Sequence, residues 1–342
     1  MKLLSEHIIR DLGIQPTTCI QWIRESFAMK QQADLPAKIS VHPDEGEFFT
    51  SMPCLLPHPT AIPDSGFHRR YFGIKVVHRL LQSVPSLGSD MLLYDAVTGE
   101  LLALVDTDWI TTMRTGAVAA VSSMTLRKSD ATTYGMVGLG NTARATLLCI
   151  LEQEPERHFP VLLVRYKDQA ELFAERFKGY ENVSFEIVDD INEVACRSDV
   201  FISCITNAQG LLVKDEQTFR PGTTVIPVHM RGLQNCDTTF DRVFGDDTDH
   251  VRGFKYFPQY HDYNEIGEVL AGRDPGRRND QQRIIDYNYG LGLHDVLFSA
   301  KLYELATHQL GAIPERTLDA QHSTLNFLPD IPLEKETSKF WV

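Results

Sequence analysis

Between residues 38 and 105 short apolar runs are broken by turn residues, the pattern of short strands. The predicted strands are residues 38–41, 72–77, 91–94 and 101–105, with a hairpin turn over 95–100 and a proline-rich loop over 53–63. Residues 1–32 read as helical: Ile8, Ile9 and Leu12 mark one apolar stripe, and Cys19, Ile20, Ile23 and Phe27 the next. A long helix is predicted over 110–128. Beyond it, further predicted strands (161–164, 183–188, 200–205, 224–228) alternate with helical segments such as 169–178 and 191–197. Alternation of this kind predicts a mostly parallel, doubly wound α/β sheet. Residues 283–306 read as strand, glycine turn and helix, and the tail from Gly311 as loop.

One junction in this pattern carries chemistry. The apolar run ending at Val137 leads into Gly138-Leu139-Gly140-Asn141-Thr142-Ala143, and a helical stripe (Ala143, Leu147, Leu148, Ile150, Leu151) follows at once. A dinucleotide-binding turn needs this order. The first glycine makes the tight turn, the second lets backbone approach a pyrophosphate, and a small third residue packs helix on strand. The helix start at Asn141 and Thr142 offers unpaired N–H groups to the phosphates. Where an NAD site places an acidic residue at the end of the second strand, this chain reads Arg165-Tyr166-Lys167. Arg165 and Lys167 suit a ribose 2′-phosphate, so NADP(H) is favoured over NAD(H).

Composition narrows the class. The 342 residues are 43% hydrophobic and 23% charged, enough for two globular domains. A net charge of −13 argues against a nucleic-acid partner, because phosphate backbones select basic faces. No apolar run approaches membrane-spanning length, and the N-terminus lacks the apolar core of a signal peptide. The six cysteines are scattered, without a C-x-x-C pair, as expected of free thiols in a cytoplasmic protein. No metal is expected, although Asp246-Asp247-Thr248-Asp249-His250 has ligand-type side chains.

Several segments together resemble the ornithine cyclodeaminase/μ-crystallin family. They are Gly73-Ile74-Lys75-Val76-Val77, Leu92-Leu93-Tyr94-Asp95-Ala96-Val97-Thr98-Gly99-Glu100, Met113-Arg114-Thr115-Gly116-Ala117-Val118, the glycine turn, the stretch from Gly267 to Arg277, and Gly290-Leu291-Gly292-Leu293-His294-Asp295. The resemblance spans roughly residues 30–310 in the family's order. It implies a Rossmann-type domain (126–304) inserted into an α+β substrate-binding and dimerisation domain (1–125 plus 305–342). It also implies a homodimer, and a hydride step at a carbon bearing an amine or imine in a small amino or imino acid.

By the same resemblance, Lys75 and Arg114 hold the substrate near the nicotinamide, and Lys38 stands where an arginine is usual. Three cations around a cleft suit an α-carboxylate. Lys75, if desolvated beside other cations, serves as proton carrier. Glu265 and Glu268 border the cleft, and Asp295 lies on its nicotinamide side. The chain departs from the family after residue 226. Cyclodeaminases and alanine dehydrogenases carry an aspartate where this sequence reads Val228-His229-Met230-Arg231-Gly232, with Arg231 at the aligned position. That departure disfavours ornithine cyclodeamination and favours a substrate with an extra carboxylate, which Arg231 would bind. His229 is the second candidate for acid/base chemistry. The expectation is therefore an NAD(P)-dependent imine reductase or opine-type amino-acid dehydrogenase. The alternatives are a cyclodeaminase-type ammonia lyase and a non-catalytic NADPH-binding protein of the crystallin type.

Overall fold

The computed structural model describes residues 1–205, 208–228 and 232–309. The first part of the chain runs β1 (Lys2–Leu4), α1 (Glu6–Asp11), α2 (Pro16–Met29), β2 (Ile39–Val41), β3 (Phe48–Leu55), β4 (Tyr71–Arg79), β5 (Leu87–Asp95), β6 (Leu101–Asp106) and α3 (Asp108–Leu126). These strands form a six-stranded sheet ordered β1-β6-β5-β4-β3-β2, antiparallel except for the β1–β6 pair. Burial alternates along β3, β4 and β5, so one face packs on the core. In β4 the inward set includes Tyr71, Gly73 and Lys75.

The chain continues through β7 (Tyr134–Val137), α4 (Asn141–Gln153), β8 (Phe159–Val164), α5 (Gln169–Arg176), β9 (Val183–Val188), α6 (Ile191–Arg197), β10 (Val200–Ser203) and β11 (Thr224–Pro227). It ends with β12 (Arg242–Gly245), α7 (Thr248–Val251), β13 (Asn264–Glu265), α8 (Ile266–Leu270), β14 (Ile284–Tyr287) and α9 (Gly292–Gln309). The eight strands form an all-parallel sheet ordered β13-β12-β14-β11-β10-β7-β8-β9. Strands β7, β10, β11, β12 and β14 are buried at every position, as a sheet covered on both faces requires. Strand order reverses around β7, the place where α/β sheets open a crevice at their carboxyl ends.

Two sequence expectations are corrected. Residues 2–4, read as helical, form β1, because their backbone groups pair with β6. Residues 53–55, read as loop, complete β3, which pairs with β4 through Leu55. Pro53 is tolerated because β2 covers only Phe49, Thr50 and Ser51, which leaves no ladder partner for the missing N–H. Helix α9 packs across β3 and β4 from its first turn, where Gly292 lies against the Met52 and Pro53 backbone. No helix among the described residues is long and apolar enough to cross a membrane.

Candidate active site

The glycine turn sits at the carboxyl end of β7 and opens α4. Gly138 has a left-handed φ of +78°, and a Cβ there would meet Ile205 N at 2.5 Å and the Cys204 carbonyl carbon at 2.6 Å. Gly140 differs: its φ is ordinary, and a Cβ would find nothing within 4 Å among the described residues. Among them the space over Gly140 is open to a ligand, at the end of a helix whose N-cap side chain makes no capping hydrogen bond. A pyrophosphate fits this cradle, with Asn141, Thr142 and Ala143 forming the first helical turn beneath it. At the neighbouring strand end Arg165 is not a free cation. Its Nε donates to Asp189 at 2.7 Å and its guanidinium pairs with Glu171. Lys167 follows at a left-handed φ of 53°, its ammonium 5.5 Å from the Tyr166 ring.

The second part of the site is a set of buried charges between the two sheets. The period of two along β4 turns Lys75 onto the face covered by α9. Lys75 Nζ donates to Asp295 Oδ1 at 2.9 Å, and Arg114 Nε on α3 donates to the same oxygen at 2.9 Å. Lys75 and Asp295 are fully buried and Arg114 nearly so. Asp295 stands in the first turn of α9, where the helix dipole also favours a carboxylate. Burial would raise the Asp295 pKa, but Arg114 and Lys75 overcome it and hold the carboxyl below its ordinary value. Burial, aided by Arg114, pushes the Lys75 ammonium down to about 8 against the pull of Asp295.

Lys38 joins them from the segment before β2, donating to the Tyr289 carbonyl at 3.0 Å with its ammonium 3.4 Å from that ring's centroid. Burial lowers its pKa to about 7, with Asp246, Arg114, Asp295 and Lys75 as the charged groups around it. Three cations therefore face two buried carboxylates, Asp246 and Asp295, and the surplus positive charge suits an incoming carboxylate. The structure thus brings Lys38, Lys75 and Arg114 together. His229 and Arg231 lie outside the described residues.

Sequence reasoning missed part of this cluster. Asp246 directly follows β12, and Asp286 and Asn288 lie at the end of β14, all at the carboxyl edge that also carries the glycine turn. Asp246 Oδ1, Asp286 Oδ1, Asn288 Oδ1 and Asp295 Oδ2 are buried without a hydrogen-bond partner among the described residues. Burial pushes Asp286 up to about 7. A short apolar stretch ending in an aspartate (Val243-Phe244-Gly245-Asp246) is the one local signal for such a position. Asp247, in the same acidic run, instead caps α7 and pairs with Lys30 at 2.7 Å. Among the described residues no group of side chains is arranged to hold a metal ion. Glu265 pairs with Lys30, and Glu268 with Arg273.

The model of the ornithine cyclodeaminase/mu-crystallin family matches residues 5–309. The chain belongs to this family. It is 25% identical over 290 residues to the nodulation efficiency protein NfeD of Rhizobium meliloti, covering 81% of this chain and 85% of that one. It is 24% identical over 257 residues to a Delta(1)-pyrroline-2-carboxylate reductase of Bacillus cereus, covering 69% and 78%. Among solved structures, the Thermococcus litoralis Delta(1)-pyrroline-2-carboxylate reductase, in complex with NADH and L-proline, superposes with a TM-score of 0.79 at 24% identity. That match covers 92% of this chain and all of that one.

Proposed function

We propose that this member of the ornithine cyclodeaminase/mu-crystallin family is a nicotinamide-dependent oxidoreductase that reduces the C=N bond of a small imino acid, or oxidises the corresponding amino acid. The observation that carries the reading is the buried group Lys75, Arg114, Asp295 and Lys38, set beside the carboxyl edge that holds the glycine cradle. The similarity to reductases of a cyclic imino acid supports it. When bound, the nicotinamide exchanges a hydride with the carbon of the C–N bond.

The protein's own residues do the rest. Lys38, Lys75 and Arg114 draw the substrate carboxylate into a dry site and fix its orientation. Lys75, with a pKa near neutrality, gives a proton to the substrate nitrogen during reduction and takes it back in the reverse direction. Asp295 holds Lys75 and Arg114 on one oxygen, so both keep their geometry as the proton moves. Oxidation of NADPH against a panel of cyclic imines, and of 2-oxo acids offered with amines, tests the assignment. Lys75→Ala is expected to lower turnover roughly 100- to 10,000-fold while leaving NADPH binding intact. Full activity in that variant would remove Lys75 from the chemistry. NADPH binding without turnover on any member would favour a binding protein, and ammonia release from ornithine with catalytic cofactor a cyclodeaminase.

NADP(H) as the preferred cofactor belongs to the same proposal. Arg165 is about half exposed, and its pairs with Asp189 and Glu171 lie on the surface, where water and salt screen them. A 2′-phosphate with two negative charges competes well for such a guanidinium. Arg165→Asp is expected to weaken NADPH binding by roughly tenfold or more while changing NADH binding little. Equal losses for the two cofactors would point to NAD(H).

A further inference from the structure

The peptide between Tyr289 and Gly290, just after β14, has a charged group at each end. Its carbonyl oxygen accepts from Lys38 Nζ at 3.0 Å, and its N–H donates to Asp246 Oδ2 at 2.5 Å. Gly290 has a left-handed φ of +81°, and a Cβ on it would run into the Arg114 guanidinium. One peptide therefore fixes the relative places of Lys38, Asp246 and Arg114. Lys38 makes no ion pair among the described residues, so this peptide, together with the Tyr289 ring under the ammonium, is what anchors it. Asp246 is fully buried, its other oxygen has no hydrogen-bond partner among the described residues, and the peptide N–H is what it grips.

A peptide held between a cation and an anion is polarised in the sense that strengthens both hydrogen bonds. The carboxylate also acts on the ammonium directly. The charged groups facing Lys38 are Asp246 beyond β12, Arg114 on α3, Asp295 on α9 and Lys75 on β4. Asp246 in turn faces Lys38, His250 of α7, Asp247 and Asp286 of β14. Arg114 and Lys75 repel the Lys38 charge, and Asp246 is the largest attraction that offsets them.

We propose that Asp246 is a positioning residue, which through the Tyr289–Gly290 peptide aims Lys38 at the substrate carboxylate and keeps it protonated there. The inference rests on the reading of Lys38 as a carboxylate-binding cation. It gives this chain a device that an arginine at position 38 would not need, because a guanidinium does not lose its proton.

The probe is pyrrole-2-carboxylate, a flat carboxylate that cannot be reduced, bound to the NADP⁺-loaded protein from about pH 6 to pH 9. In Asp246→Asn the amide oxygen still accepts from Gly290 N–H, so the fold and NADPH binding are retained, but the charge is gone. Removing a nearby negative charge lowers the pKa of a cation. Affinity for the probe is therefore expected to fall roughly tenfold at neutral pH, and its loss on raising pH to begin at least about one unit lower than in the wild type. Adding Lys38→Arg to Asp246→Asn is expected to abolish that pH shift. Wild-type affinity and pH profile in Asp246→Asn, with weakened binding in Lys38→Ala, would overturn the role of Asp246. Unchanged binding in Lys38→Ala would instead overturn the underlying reading of Lys38. Should Asp246→Asn fail to fold, Lys38→Arg alone decides: it is expected to move the loss of probe affinity to higher pH, into the range set by Lys75, and a profile identical to that of the wild type defeats the proposal.

Discussion

Asp295→Ala is expected to destabilise the protein by about 3–5 kcal/mol, because it leaves two buried cations without their shared counter-charge. Lys75 is fully buried, Arg114 nearly so, and both donate to one oxygen of Asp295. Part of the loss is the missing attraction. Most is the cost of keeping Lys75 and Arg114 charged in a dry site with nothing opposite them. The two origins separate in a double variant. Lys75→Met in the Asp295→Ala background removes one stranded charge and is expected to recover a substantial share of the stability, although activity stays lost. Urea denaturation of the wild type, Asp295→Ala and the double variant measures this. A cost below about 1 kcal/mol for Asp295→Ala would mean that the carboxylate is not the counter-ion of this cluster.

The second large effect separates two glycines that the sequence presents as one motif. Gly138→Ala is expected to damage both folding and cofactor binding. Its φ of +78° costs an alanine about 1–2 kcal/mol, and its Cβ meets backbone atoms of Cys204 and Ile205 that cannot swing aside. Gly140→Ala is expected to leave stability within about 0.5 kcal/mol of wild type, since its φ is ordinary and its surroundings are open. The new methyl group instead occupies the place where a pyrophosphate approaches the backbone, and NADPH affinity is expected to fall roughly tenfold or more. Thermal unfolding without cofactor and NADPH fluorescence titration read the two effects separately. Undiminished NADPH affinity in Gly140→Ala would move the phosphates away from this turn.

These contrasts show where local pattern stops being informative. The turn around Gly138 was legible because strand, glycine turn and helix are built there from adjacent residues, and the helix over 110–128 because its period lies within one segment. The same is true of the short strands between residues 38 and 105, which turn residues delimit. Pro53 misled because proline ends most strands, and only the short reach of β2 makes the edge that accepts it. Residues 2–4 were too few to show any period and became a strand through β6.

The site follows the same division. Lys38, Lys75 and Arg114 came from resemblance to a family, and that resemblance named cations without saying what holds them. Asp295 lies 220 residues from Lys75 and 181 from Arg114 in sequence, and it meets them only because α9 returns across β4. Asp246 reaches Lys38 through a peptide that neither residue neighbours in sequence. Likewise Arg165 reads as a free cation until Asp189 and Glu171 are brought beside it. The sequence by itself determined the kinds of element, the glycine turn and the identity of the charged side chains, all properties of short stretches of chain. Which charges are buried together, and so which of them are paired, fixed or depressed in pKa, was decided only by the tertiary structure, because Coulomb and desolvation energies depend on distance in space and on the exclusion of water.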